Sequence, residues 1–297
     1  MKNLLRSIEW KEAALGLALL TLLAATASYS YLLFHTFAEL FGIVIAFGVF
    51  MFAWNTRRFL KDDYLLCLGV ASFFVAMLDL LHTMAFKGML IFDGFDDNLP
   101  TQLWIASRYL QGASFLIAPL FFRRRLPLGP AMLACCALTT AVLLSLFHWR
   151  AFPDCFLPGE GLTDFKVVSE YVIGSMLAGG GLLLLRNRSR FDPLVLRHLV
   201  MAIGAAVVTE LCFTVYKTPY AWMNFTGHVF KILSFYFLYR AIIETGLNKP
   251  HDLLFRDLQQ EVRERRKVEE SLRKSRELLS RTQKAGGVGG FEWDRES

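Results

Sequence analysis

The sequence predicts an all-α membrane protein, an eight-helix transmembrane bundle with a C-terminal cytoplasmic coiled-coil helix. Three observations carry this. Hydrophobic residues make up 55% of the chain and charged residues only 20%, with a mean hydropathy of +0.40, a balance that soluble domains rarely reach. Apolar runs of about 18 residues or more recur, each long enough to cross hydrocarbon. Lysine and arginine gather at alternate connections between those runs, as the positive-inside rule requires.

The expected spans lie at about 13–31, 35–54, 64–86, 103–122, 130–148, 169–186, 195–216 and 225–243. The first is preceded by Lys2, Arg6 and Lys11 and ends in small residues, like a signal peptide. Its apolar run is too long for a signal-peptide core, so it reads as an uncleaved membrane helix. Almost nothing separates the first two spans, which predicts a tight hairpin at residues 28–34.

The connections set the orientation. Arg57, Arg58 and Lys61 follow the second span, Arg123, Arg124 and Arg125 the fourth, and Arg186, Arg188 and Arg190 the sixth. The alternate connections carry only Lys87, then Arg150 and Lys166, then Lys217. Both termini are therefore expected in the cytoplasm, with membrane lipid as the protein's surroundings. The net charge of +6 is accounted for by these flanks, which argues against a nucleic-acid partner.

Several features read plainly. The five cysteines have no metal-binding spacing and suit small packing positions. Asp93, Asp96 and Asp97 lack the spacing of a calcium loop and read as a solvated acidic loop. Gly179, Gly180 and Gly181 fall inside a span, where close helix packing or a flexible point is expected.

Residues 1–245 thus form the membrane domain, and the character changes after it. In residues 246–285, Leu254, Leu258, Val262, Val268, Leu272 and Leu279 form a narrow apolar seam on a charged helix. That pattern predicts a parallel dimeric coiled coil, and hence a homodimer. Gly286 and Gly287 end the helix, and residues 286–297 begin something new with one expected strand at 290–294.

The chemistry lies inside the membrane. At 1.5 Å per residue, Glu39 sits about 8 Å below the outer face, with His82 and Asp79 at about 8 and 12 Å. Arg108, Glu210, His228 and Lys231 fall in the same outer half, with His35 at its edge and Trp104 one turn above Arg108. Ionisable groups in hydrocarbon are costly and mark functional sites by default. Such a level implies a polar cavity that opens outward. The ligand-binding candidates are His35, Glu39, Asp79, His82, Trp104, Arg108, Glu210, His228 and Lys231.

Two readings stand at this point. One is an internal ion-pair network that fixes helix register, with Asp79 or Glu210 on Arg108. The other is a ligand site. His35, Glu39, His82 and His228 suit zinc or copper, and imidazoles from two helices suit a haem. An organic anion would use Arg108, oriented by Trp104, Tyr109 or Gln102. No nucleotide-binding, serine-hydrolase or zinc-protease motif occurs, and no catalytic residue is assigned.

Four segments carry a resemblance: HTFAE at 35–39, AWNTRR at 53–58, LDLLHTMAFKGM at 78–89 and QLWIASRYLQ at 102–111. With these the first 245 residues resemble the third class of bacterial membrane-associated sensor domains, the MASE group. The resemblance implies an input module of a histidine kinase or diguanylate cyclase. Residues 280–294 resemble the opening of a PAS domain, which implies a cytoplasmic output domain further on. The combined reading is a sensor that detects a ligand in an outward cavity and signals through a dimeric coiled coil. The alternative is a transporter or metal-dependent membrane enzyme with a regulatory tail. A transporter of that kind would show repeat-related broken helices, and the sequence has no convincing internal repeat.

Overall fold

The computed structural model describes residues 2–58, 63–215 and 222–244, and then Arg266, residues 269–279 and Arg281. The chain divides into two units, Met1–Thr245 and Gly246–Ser297. The first is a helical bundle. In chain order it contains α1 (Lys2–Tyr29), α2 (Tyr31–Thr56), α3 (Tyr64–Ala85), α4 (Asn98–Ile117), α5 (Leu128–Phe147), α6 (Asp164–Arg186), α7 (Pro193–Cys212) and α8 (Trp222–Tyr239). A 3-10 segment at Ala118–Phe122 extends α4, and a π-helical turn at Arg240–Glu244 extends α8. Between α5 and α6 a short antiparallel hairpin pairs β1 (Phe156–Leu157) with β2 (Gly161–Leu162).

Among the described residues, five helices are long and apolar enough to cross a membrane: α2, α3, α5, α6 and α7. The apolar part of α1, Gly16–Tyr29, is shorter. Both α4 and α8 are diluted by polar residues, Gln102, Arg108 and Gln111 in one and Asn224, His228 and Lys231 in the other. Those same side chains build the interior described below.

Several helix starts differ from expectation. α6 begins at Asp164 and not at 169, because the Thr163 hydroxyl caps it by accepting from the Lys166 amide at 3.2 Å. Lys166, expected in a connection, therefore lies in the first turn of α6 with its side chain buried. α4 begins at Asn98 and not at 103. α1 runs back to Lys2, through a segment rich in helix formers. Between α1 and α2 only Ser30 leaves the helical conformation, and its hydroxyl accepts from the Leu33 amide at 3.4 Å. Leu20, Leu23 and Ala27 of α1 then pack on Phe34 and Ala38 of α2 and Ile232 of α8.

Packing inside the bundle is close. A Cβ on Gly180 would stand 2.9 Å from the Phe115 carbonyl oxygen, so glycine lets α6 lie directly on α4. This settles the packing role of the glycine triplet. The loop that carries the hairpin is tied down on α4. Asn98 Oδ1 accepts from the amides of Cys155 and Phe156 at 2.8 and 3.0 Å, and its Nδ2 donates to Asp154 at 2.8 Å. Gln102 Nε2 donates to the carbonyls of Phe152 and Pro153 at 3.1 and 3.0 Å. At the other end of the bundle Asp63 is buried and accepts from Arg125 Nη1 at 2.9 Å and the Leu126 amide at 2.7 Å.

In the second unit, residues 269–279 are helical and exposed. Lys274 reaches Glu270 at 3.1 Å and Arg273 reaches Glu277 at 3.8 Å, both at i,i+4. Leu272 and Leu279 of the expected seam are 54% and 58% exposed in the single chain. Leu254, Leu258, Val262, Val268 and residues 286–297 lie outside the described residues, as do Lys61, Lys217 and the side chains of Lys2, Arg6 and Lys11.

Candidate functional site

Most of the buried ionisable groups collect at the end of the bundle that carries the β-hairpin, away from Asp63 and His198. Four helices contribute to one continuous chain of polar contacts. Lys231 Nζ of α8 donates to Glu39 Oε2 of α2 at 2.5 Å and lies 3.4 Å from Asp79 Oδ2 of α3. Asp79 accepts both oxygens' worth of contact from Arg108 Nη2 of α4, with the Oδ1 contact at 2.5 Å, and takes the Ser107 hydroxyl at 2.5 Å. Arg108 continues through Nη1 to the Gln111 amide oxygen. Of the two sequence-level options for Arg108, the structure pairs it with Asp79.

Each side chain is placed by its helix. His35 and Glu39 are one turn apart on α2, and Asp79 and His82 are nearly a turn apart on α3, so each pair shares a face. Two cations lie over the Trp104 ring, Arg108 Cζ at 4.6 Å and Lys231 Nζ at 4.5 Å from its centroid. Such contacts gain strength when water is excluded.

The histidines form a second layer above this chain. His35 is fully buried and stacks on Phe86, with ring centroids 3.6 Å apart. It also faces His82 at 5.3 Å and His228 at 4.9 Å between centroids. His82 Nδ1 meets the Pro100 carbonyl at 2.7 Å, and His228 Nδ1 meets the Asn224 carbonyl at 2.7 Å. His228 Nε2 lies 3.4 Å from Glu39 Oε1. Neither ring nitrogen of His35 has a hydrogen-bond partner, nor does Nε2 of His82 or of His228. The three histidines line a cavity of about 40 Å³ that reaches the rim formed by Lys87 and Asp97, themselves paired at 2.6 Å. That space takes a few waters or one ion; a porphyrin is far too large for it.

Glu210 is set apart from this group. Its carboxyl lies against that of Glu170 of α6 within hydrogen-bonding reach. Lys166 Nζ joins Glu170 Oε1 at 2.7 Å and also donates to the Phe213 carbonyl. Trp104 Nε1 donates to the same Glu170 oxygen at 3.1 Å, so the indole links the two clusters. The Phe213 ring fills the remaining gap, edge-on to Trp104 at 4.9 Å and to His228 at 5.2 Å. A Cβ on Gly227 would stand 2.2 Å from that ring, which is why α8 has glycine there.

Of the nine candidates, eight share one interior, and Glu210 joins it through Glu170, which accepts from Trp104. Sequence reasoning missed Lys166, which fell before the expected start of α6, and Glu170, which fell at the very edge of that span; the Thr163 cap and the i,i+4 Lys–Glu spacing were the available signals. Gln102 is engaged with loop carbonyls, Tyr109 is half-buried, and His148 is exposed. His198 is buried elsewhere, in α7, stacked on Phe237.

This is a helical membrane domain whose polar interior is enclosed by its own helices. It belongs to the MASE3 family of membrane-associated sensor domains, whose model matches residues 26–250. The matched span takes in α2 to α8 and every residue of both clusters. No curated protein and no solved structure matches the chain.

Proposed function

We propose that residues 1–245 are a sensory input module with eight membrane-spanning helices and both termini in the cytoplasm of a bacterial inner membrane. The hairpin end of the bundle then faces outward. A small ligand enters past Lys87 and Asp97, and its binding alters how α2, α3, α4 and α8 are held. α8 passes the change to the helix of residues 246–285, which pairs with a second copy and drives a PAS, kinase or cyclase output domain.

The observation that carries this reading is the gathering of Glu39, Asp79, Arg108 and Lys231 from four helices beneath a cavity. Buried ion pairs contribute little net stability, because desolvation offsets attraction. They do form a connected set in which moving one helix disturbs three others. A ligand shifts such an equilibrium only by touching the two states differently, and the histidine layer lies directly above the set. The cavity volume favours a small occupant over a haem. Because Arg108 is engaged by Asp79 and Gln111, an organic anion has less claim on it.

The test is a chimera in which residues 1–285 replace the input region of a histidine kinase or diguanylate cyclase with a measurable output. Glu39→Gln, Asp79→Asn and His82→Ala are expected to shift output several-fold, up or down, at equal membrane levels. Output identical to the unsubstituted chimera in all three would overturn the reading.

A further inference from the structure

We propose that His35, Glu39, His82 and His228 form a binding site for one transition-metal ion of the copper–zinc class. Its role as a stimulus rests on the sensing reading above; the site itself stands on geometry.

The tautomers come first. A carbonyl accepts, so His82 and His228 must carry their protons on Nδ1, facing Pro100 and Asn224 at 2.7 Å. Each neutral ring then turns a bare Nε2 lone pair toward the cavity. Metal-binding histidines are held by this kind of outer hydrogen bond.

The second observation is a pair of facing acceptors. His228 Nε2 stands 3.4 Å from Glu39 Oε1, and neither atom has any other hydrogen-bond partner. Lys231 occupies the other carboxylate oxygen. Two lone pairs at this separation, away from water, need a positive charge between them. Neighbouring ligand atoms on a tetrahedral ion with bonds of about 2.0–2.1 Å lie roughly 3.3 Å apart.

His35 is the third. It is 0% exposed with both nitrogens unpartnered, although buried polar groups normally find partners. Donor atoms of His35, Glu39 and His82 lie within 4.8 Å of one another. Closing on an ion would draw α2 and α3 together, which is a change the bundle can transmit.

Imidazole nitrogens with one carboxylate oxygen suit both copper and zinc, and the titration below separates the two.

The experiment uses the full chain, stripped of metal in detergent and titrated separately with copper(I) and zinc against a chromophoric chelator. X-ray absorption is then recorded at the metal edge of the unsubstituted protein. One equivalent per chain is expected, with imidazole nitrogens at about 2.0 Å. His35→Gln and His82→Gln are each expected to weaken binding by at least about 10-fold, while His198→Gln leaves it unchanged. Absence of stoichiometric metal, or an edge spectrum without imidazole, overturns the proposal and leaves a proton on His228 to separate the acceptors; the spectrum is read on the unsubstituted chain, so a misfolded variant cannot decide it. If metal binds but the chimera above ignores it, the site stands and the sensing reading falls. If no metal binds yet the chimera responds to His82→Ala, the sensing reading stands alone.

Discussion

Glu39 and Lys231 are 192 positions apart in the chain, yet their charged atoms meet at 2.5 Å, each side chain at most 2% exposed. This contact joins α2 to α8, and Lys231 extends it to Asp79 on α3. Removing one partner strands the other charge. Lys231→Met is expected to destabilise the bundle by about 3–5 kcal/mol. The pair replacement Glu39→Gln with Lys231→Met should recover most of that loss, because the cost comes from the orphaned charge. Thermal unfolding in detergent of the two single variants and the double variant checks this. Additive losses would mean that the two residues act separately.

Asp79 takes contacts from Arg108, Ser107 and Lys231, on two other helices. A graded series follows. Ser107→Ala removes one hydroxyl bond to a charged acceptor and is expected to cost about 1.5–3 kcal/mol. Asp79→Asn keeps the shape but leaves both Arg108 and Lys231 short of negative charge, and should cost more than Ser107→Ala. Trp104 reports the disturbance, because its ring lies 4.6 Å from Arg108 and 4.5 Å from Lys231. Its fluorescence is expected to shift in Asp79→Asn while that of Ser107→Ala stays near the unsubstituted spectrum.

Gly227 tests how the aromatic filling supports the histidines. An added methyl would press on Phe213, which sits edge-on to both Trp104 and His228. Gly227→Ala is expected to cost about 1–3 kcal/mol through overpacking. Trimming the ring in Gly227→Ala with Phe213→Leu should restore part of it. Unfolding temperatures of the single and double variants check the pair.

Much of this interior was legible in the sequence because charge is rare in apolar runs. His35, Glu39, Asp79, His82, Arg108, His228 and Lys231 stand out for that reason, and helix periodicity with loop charge puts them at one level. The pairing was not legible. Depth alone gives Asp79 and Glu210 equal claims on Arg108, and only the packing of α3 against α4 decides it. Lys166 and Glu170 were hidden by position: they lie in the first two turns of α6, where charges look like part of a connection. The hairpin at 156–162 was invisible too, since two-residue strands leave no periodic signal and are held by Asn98 on a distant helix.

Asn98 makes the last prediction. Its Oδ1 holds the amides of Cys155 and Phe156, and Cys155 is fully buried. Burial pushes the Cys155 thiol up to about 12, from an ordinary value near 9.0. The thiolate is the reactive form, and below that pH its fraction falls tenfold for each unit. At pH 7.5 native Cys155 is therefore expected to resist a water-soluble maleimide, with reactivity rising as the pH is raised. Asn98→Ala frees two amides and should let the loop lift, exposing the thiol and lowering its pKa toward the ordinary range. Labelling at pH 7.5, followed by peptide mass analysis, is expected to show Cys155 modified in Asn98→Ala and protected in the unsubstituted chain. Equal labelling of the two would mean that Asn98 does not hold the loop down.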